Sequence, residues 1–371
     1  MAIDFADSPS ATLGVEWELA LVDKHSRDLV NAASELFDLV SERHGPEPRI
    51  HKELLRNTVE LTTGICRSSG DAVDELAEMV AKVRPLADEL GVDLYCAGTH
   101  PFAAWSHQLL TEGHRYEELI ARTQWWGRQM LIWGVHVHVG VRRDQVMPIV
   151  SSLLNWYPHL QALSASSPIW SGTDTGYASN RAMMFQQLPT AGLPFQFETW
   201  ADFEHYAQDL LTTGVIEVID EIRWDVRPAP RTGTVEVRIC DGVSTLWEMR
   251  ALVALTHCLV IDLADRLDRG ETLPTMPPWH VQENKWRAAR YGLDAWIILD
   301  AESHERLLLD DLDELLDRLA PVAERLGCVA DLALVREIPR RGASYQRQRK
   351  VADQHGGDLV AVVDSIVREL G

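Results

Sequence analysis

Residues 134–140 read G-V-H-V-H-V-G. Side chains on a β-strand alternate faces, with residues i and i+2 roughly 6.5–7 Å apart on the same face. Read as a strand, this stretch turns Val135, Val137 and Val139 one way and His136 and His138 the other. The same design occurs twice more. In V-E-W-E-L, residues 15–19, Glu16 and Glu18 oppose Val15, Trp17 and Leu19. In V-E-V-R-I, residues 235–239, Glu236 and Arg238 oppose Val235, Val237 and Ile239. One such strand is readable as the wet face of an antiparallel sheet. Three are harder to read that way, because Glu is poorly suited to strands and neighbouring carboxylates repel. Carboxylates and imidazoles on one sheet face are what a divalent cation needs: Mg²⁺ or Mn²⁺ takes carboxylate oxygens, and Mn²⁺ also accepts a His nitrogen.

A fourth stretch, H-K-E-L-L-R-N-T-V-E-L-T-T-G at 51–64, adds Glu53 and Glu60. Seven residues apart, they share one helix face two turns apart. If the segment becomes a strand near Val59, Glu60 opposes Val59 and Leu61 instead. Outward from these stretches, strand and helix patterns alternate along the chain. Strands are expected at 13–22, 92–97, 132–141, 222–226 and 234–240. Helices are expected at 31–44, 71–90, 116–130, 145–163 and 199–211, with a loop over 170–180. Pro85 should kink or interrupt the helix 71–90. Thr245 and Glu248 form a capping-box signature for a long helix ending near Arg269, and the last hundred residues read as mainly helical. There is no repeat, low-complexity linker or break in composition, so the reading is one α+β domain over 1–371.

The 371 residues carry 35 Lys plus Arg against 56 Asp plus Glu, a formal charge of −21. That balance disfavours nucleic acid and anionic membrane surfaces as partners. Residues 251–261, the most apolar helical stretch, are too short to span a bilayer, and the N-terminus lacks the pattern of a signal peptide. Five scattered cysteines without a C-x-x-C pair fit buried thiols in a reducing, cytoplasmic setting. No P-loop, G-x-G-x-x-G or G-x-S-x-G is present, so a nucleotide must be held some other way. The H-x-H pair also suits a Zn²⁺-dependent hydrolase, but the carboxylates outnumber the imidazoles, which favours a harder ion.

The order of the motifs is more specific. G-V-E-W-E-L, E-L-T-T-G at 60–64, G-T-H-P-F at 98–102 and G-V-H-V-H-V-G are followed by Y-A-S-N-R at 177–181 and D-V-R-P-A-P-R-T-G-T-V-E-V-R at 225–238. E-N-K-W-R-A-A-R-Y-G-L-D at 283–294 and G-A-S-Y-Q-R-Q-R at 342–349 complete the series. Together they resemble the YbdK-like carboxylate–amine ligases, or glutamate–cysteine ligase type 2, of the glutamine synthetase-like superfamily. One position departs: the family usually reads G-V-E-E-E, where Trp17 stands here. Alternation turns Trp17 to the core and leaves both ligand positions intact.

The resemblance implies a curved antiparallel sheet backed by helices, with the active site on its concave face. It implies ATP-dependent joining of glutamate to cysteine through an acyl phosphate, with Mg²⁺ (or Mn²⁺) as metal, small-molecule partners and a homodimer. Carried over by position, Glu18, Glu53 and Glu60 would hold one metal, and Glu16, His136 and Glu236 the metal nearest the phosphates. Arg238 would be catalytic, stabilising the transferring phosphoryl group. His138 would serve nucleotide or second metal, Arg181 a substrate carboxylate, and Arg227 and Arg231 phosphate or substrate. Asn284, Arg287 and Arg290 would form a functional helix face. The basic run 339–350 would either close over nucleotide phosphates or form a surface loop, and His100 would either line the pocket or stabilise a turn. Three other readings stay open: a ligase of the same fold using another acid or amine, a Zn²⁺-dependent amide hydrolase, and a non-catalytic nucleotide-binding protein.

Overall fold

The computed structural model describes residues 2–371. Its strands are β1 (Leu13–Asp23), β2 (Ile50–Lys52), β3 (Thr58–Thr62), β4 (Val92–Tyr95), β5 (Gly134–Gly140), β6 (Ile169–Trp170), β7 (Thr173–Asp174), β8 (Val226–Ala229), β9 (Thr234–Asp241), β10 (Trp296–Ile298) and β11 (Glu305–Leu307). Its first eight helices are α1 (Ala33–His44), α2 (Ser69–Glu89), α3 (His114–Thr123), α4 (Trp125–Arg128), α5 (Arg143–Leu153), α6 (Tyr157–Ser164), α7 (Asn180–Phe185) and α8 (Trp200–Thr212). They are followed by α9 (Leu246–Asp268), α10 (Pro278–Tyr291), α11 (Leu308–Leu326), α12 (Val329–Ala333), α13 (Glu337–Arg341), α14 (Ser344–Gln354) and α15 (Leu359–Leu370).

Seven strands form one antiparallel sheet, in the order β2-β3-β1-β5-β9-β8 with β4 also on β1. The register sets Glu16 opposite His136, Glu18 opposite Glu60, His138 opposite Glu236 and Arg227 opposite Glu236. Each polar face thereby meets another polar face across the ladder. The opposite face is dry: Trp17, Leu19 and Val139 are fully buried, with Val15, Val137 and Val237 at 1% exposure. Helices α2, α5, α6 and α9 pack against the sheet, and the core built there draws residues from Ile3 to Leu370. Trp17 donates its indole N–H to the Cys96 sulfur at 3.1 Å, which satisfies the one polar atom it buries. Farther along β1, Ala20 and Val22 lie on the glutamate face, and Val362, Val363 and Ile366 of α15 cover them. The sheet face therefore turns from polar site to core within one strand.

Several expected elements differ. Of the two arrangements open for Glu53 and Glu60, the structure has the strand beginning near Val59 and not the shared helix face. Glu53 follows β2 and Glu60 lies in β3, so an antiparallel pairing brings them together. The expected helix 116–130 is split at Gln124, whose φ of 50° breaks it into α3 and α4. Pro85 lies inside α2, just before its last turn, and the helix loses one N–H donor there without being interrupted. The strand expected at 222–226 starts at Val226, and Pro228 is accommodated because β8 is an edge strand. Thr245 caps α9: its hydroxyl accepts from Glu248 N at 3.2 Å and donates to that carboxylate at 2.6 Å.

Candidate active site

Strands β1, β3, β5 and β9 deliver their charged residues to one cleft of about 320 Å³. Glu16, Glu18, Glu53, Glu60, His136, Arg181, Arg227 and Arg238 all line it, and Arg238 Nη1 lies 3.3 Å from His136 Nδ1. The β5–β9 pairing slips between Val135 and Val137, so β9 spends one more residue than β5 across the slip. Such a bulge re-aims side chains beside a site. Here Arg238 donates its backbone N–H to Asp225 O at 2.8 Å and carries its guanidinium onto Glu236.

Three groups have the reach of a metal centre. Glu18, Glu53 and Glu60 each place one carboxylate oxygen within 4.8 Å of the others, as do the donor atoms of Glu16, Glu60 and His136, and those of Glu16, His138 and Glu236. Glu16 is the hub. One oxygen meets His136 Nδ1 at 2.8 Å and the other His138 Nε2 at 3.0 Å. His138, not His136, completes the group with Glu16 and Glu236. Its Nδ1 is held by the Thr234 hydroxyl at 2.9 Å, which fixes the ring as ligand histidines are fixed.

The electrostatics separate the glutamates. Burial raises all of them, and neighbours decide the outcome. Hydrogen bonds and charge from His136 and His138 outweigh burial at Glu16 and hold it well below the usual carboxylate range. Arg227 and Arg238 do the same for Glu236. At Glu18, burial and the Glu53 charge push the carboxyl up to about 7. Glu60 is raised well above the ordinary value by burial together with Glu53, Glu16 and Glu18. Burial also raises Glu53. Carboxylates that repel at this range lack a positive charge between them. His136 is held down to about 4 by burial and the Arg238 charge, so it is neutral near pH 7, and its buried Nε2 has no hydrogen-bond partner. An unused imidazole nitrogen beside clustered carboxylates is a donor set that fits a divalent cation.

A second cleft of about 460 Å³ lies along the start of β1, lined by Thr12 to Glu16, Thr62 to Ile65, His138, Arg231 and Thr234. Glu16 lines both clefts.

The family model for glutamate–cysteine ligase family 2 matches residues 12–365. The chain belongs to that family. Relatives extend over its full length. A Nocardioides sp. protein provisionally named glutamate–cysteine ligase 2-3 is 67% identical over 371 residues, covering 100% of this chain and 99% of its own. A Mycobacterium tuberculosis protein with the provisional name glutamate–cysteine ligase 2 is 65% identical over 369 residues, covering 99% of this chain and 97% of its own. Among solved structures, glutamate–cysteine ligase from Francisella tularensis in complex with AMP superposes with a TM-score of 0.68 at 16% identity, covering 99% of this chain and 90% of that one. The bifunctional glutathione synthetase of Pasteurella multocida gives 0.67 at 14% identity, over 97% of this chain and 52% of that one. The fold is the glutamine synthetase-like one, and the family's class is that of acid–amino-acid ligases.

Within this family member, several residues singled out by sequence lie elsewhere. Asn284 is buried and exchanges two hydrogen bonds with the Ile298 backbone, which anchors α10 to β10. Arg287 pairs with Glu283 at 2.8 Å and Glu305 at 2.5 Å, away from the cleft. The basic run is absorbed by carboxylates: Arg347 joins Glu248 and Glu369, Arg349 joins Asp174, and Arg340 joins Glu337. His100 stabilises a turn, its Nδ1 accepting from Ala103 N at 3.0 Å and its Nε2 meeting Arg27 O at 2.9 Å. Arg227 spends its guanidinium on Glu236 and the carbonyls of Asp220 and Ile222. Arg231, at the second cleft, pairs with Asp220 at 3.2 Å. Arg181 lies in the first cleft, donating to Arg238 O at 3.2 Å and facing the Phe185 ring.

The structure also adds cleft residues that sequence reasoning missed: Arg115, Tyr116, Leu119, Met130, Ile132, Phe185, Leu188, Asp220 and Arg223. Most come from α3, α7 and the segments around them, where no strand alternation assigns a face. The charged run Asp220 to Arg223 was the one available signal.

No helix among the described residues is long and apolar enough to cross a membrane.

Proposed function

We propose that this chain joins the side-chain carboxylate of glutamate to the amine of cysteine at the expense of ATP, through an acyl phosphate. The observation that carries the reading is Glu16. It is the one cluster carboxylate that lines both clefts and belongs to two of the three ligand groups. The cleft along β1 is the better fit for the nucleotide, offering apolar wall, backbone and Arg231. The arginine-lined cleft fits the acid and the amine. The phosphoryl group then crosses at Glu16.

A carboxylate is a poor electrophile toward an amine, and phosphorylation gives it a good leaving group. Transfer between two anions requires alignment and charge neutralisation. Arg238 is held rigidly by Glu236 and by its backbone bond to Asp225, so its guanidinium is preorganised for the transferring phosphoryl group. Arg181, with its buried Nε unpartnered, is suited to grip the acid's other carboxylate. Neutral His136 and the low-lying carboxylates of Glu16 and Glu236 hold their donor atoms ready without competing protons. Glu18, Glu53 and Glu60 would hold one Mg²⁺ or Mn²⁺, and Glu16, Glu236, His138 and His136 would hold the ions nearest the phosphates. Those ions supply charge neutralisation and orientation.

Carboxylates outnumber imidazoles in each of the three ligand groups, which favours a hard ion over the zinc of an H-x-H hydrolase. All five cysteines are free and buried, in keeping with a cytoplasmic setting. The test is ADP release with Mg²⁺ across a panel of acids and amines. Release that needs both glutamate and cysteine supports the reading, and no release with any pair refutes it.

A further inference from the structure

Arg223 is the anomalous arginine of the first cleft. Arg227 and Arg238 share Glu236, and Arg181 rests on backbone carbonyls. The Arg223 guanidinium makes one hydrogen bond, from Nη1 to Glu221 O at 3.0 Å, and has no carboxylate within ion-pair distance among the described residues. It is partly buried, on the segment that leads into β8. Arg115 of α3 lines the same space, also without a carboxylate partner. Burial, with the positive charges of Arg115, Arg227 and Arg238, outweighs the nearby Glu221 charge and lowers the Arg223 pKa to about 10. Guanidinium groups brought together without a carboxylate in direct contact are unfavourable, and a bidentate carboxylate relieves that cost.

The position is informative as well. Arg115 and Arg223 line the first cleft and also a small pocket beside it, whose wall adds Glu118, Leu119, Arg122, Pro189 and Glu221. Arg181 and Arg238 line only the first. The two arginines without an ion-pair partner therefore stand where the first cleft meets the small pocket, a place where the second substrate can enter after the acid is activated. Leu119 and Leu188 add an apolar wall.

We propose that Arg223, with Arg115 across the cleft, binds the carboxylate of the incoming amine, so that the enzyme selects an α-amino acid over the corresponding simple amine. This rests on the ligase reading. It adds the residues that read the acceptor, and Arg181 remains with the donor.

The experiment compares three acceptors with glutamate, ATP and Mg²⁺: cysteine, cysteamine and hydroxylamine. Cysteamine lacks only the carboxylate, and hydroxylamine traps acyl phosphate without needing an acceptor site. Wild-type protein is expected to prefer cysteine to cysteamine by about 100-fold in kcat/KM, a typical value for one charge-assisted pair. Arg223→Ala should lose most of that preference through a higher KM for cysteine. Its loss with cysteine should exceed its loss with hydroxylamine by at least tenfold. Arg115→Ala, on an exposed helix position, should show the same selectivity to a smaller degree and guards against a folding defect in the first variant. Equal losses with cysteine, cysteamine and hydroxylamine would overturn the assignment. So would a raised KM for glutamate that disappears when γ-aminobutyrate replaces it, because the arginines would then read the donor. Wild-type protein that forms no hydroxamate from any acid defeats the ligase reading itself, and this inference with it.

Discussion

Glu18→Gln should stabilise the metal-free protein while removing part of its metal response. Glu18 accepts a hydrogen bond from Gly134 N at 2.6 Å, which a glutamine oxygen retains. What changes is the charge. Burial and Glu53 raise this carboxyl from the ordinary 4.5 to about 7. At 1.36 kcal/mol per pH unit, keeping it ionised above pH 7 costs on the order of 3 kcal/mol, or about 2 after allowance for its partial solvent contact. The sign follows from the direction of the shift. A carboxyl raised in the folded state destabilises fully above the folded value near 7. The penalty shrinks as pH falls through that value, and it is gone below about 4.5. For a chain of this length, unfolding entropy is about 0.8 kcal/mol per kelvin, so the variant should melt about 3 °C higher at pH 8 in EDTA. The assay is thermal melting of both proteins at pH 8 and pH 5, with EDTA or Mg²⁺. Mg²⁺ should raise the wild-type Tm at pH 8 and raise it less in the variant. A variant no more stable than wild type at pH 8 in EDTA, or a gain as large at pH 5, would refute the electrostatic argument. A full Mg²⁺ response in the variant would refute the ligand assignment.

Three other perturbations address separate parts of the structure. Arg238→Ala should lower kcat by about 10²–10³-fold with little change in binding of a non-hydrolysable ATP analogue; titration calorimetry and ADP release together check the split, and an unchanged kcat removes Arg238 from the transition state. Gly134→Ala would put a methyl group 2.6 Å from Arg181 Cζ. It should therefore raise the KM for the acid more than tenfold while circular dichroism stays native, and an unaltered KM would show that Arg181 does not contact the acid. Lys285 and Asp225 form an ion pair at 2.7 Å, with both side chains at most 5% exposed, and Tyr157 also donates to Asp225. Lys285→Met should leave that carboxylate unpaired and cost about 3–5 kcal/mol in urea unfolding, and a loss below 1 kcal/mol would contradict the pairing.

Legibility from sequence followed periodicity. Alternation in three strands put Trp17, Val137 and Val237 inside and set six charged or imidazole side chains on the other face, because a strand's period of two is a local property. Glu53 illustrates the limit. The seven-residue interval to Glu60 suits a shared helix face as well as a turn into a strand near Val59, and the antiparallel β2–β3 pairing realises the second. Arg287 and Arg347 illustrate another. An arginine in a motif looks the same whether it awaits an anion or already holds Glu305 or Glu248 from far along the chain.

Sequence alone determined the buried and polar faces of β1, β5 and β9, the acidic balance, and a set of residue types suited to a cation. The register between strands was left to the tertiary structure. That register makes Glu16 a hub for both histidines, places His138 rather than His136 in the group with Glu236, and leaves Arg223 without a carboxylate in direct contact. Faces are set by the chain's local period. Partners are set by long-range pairing and by which charges remain unmatched after the core has closed.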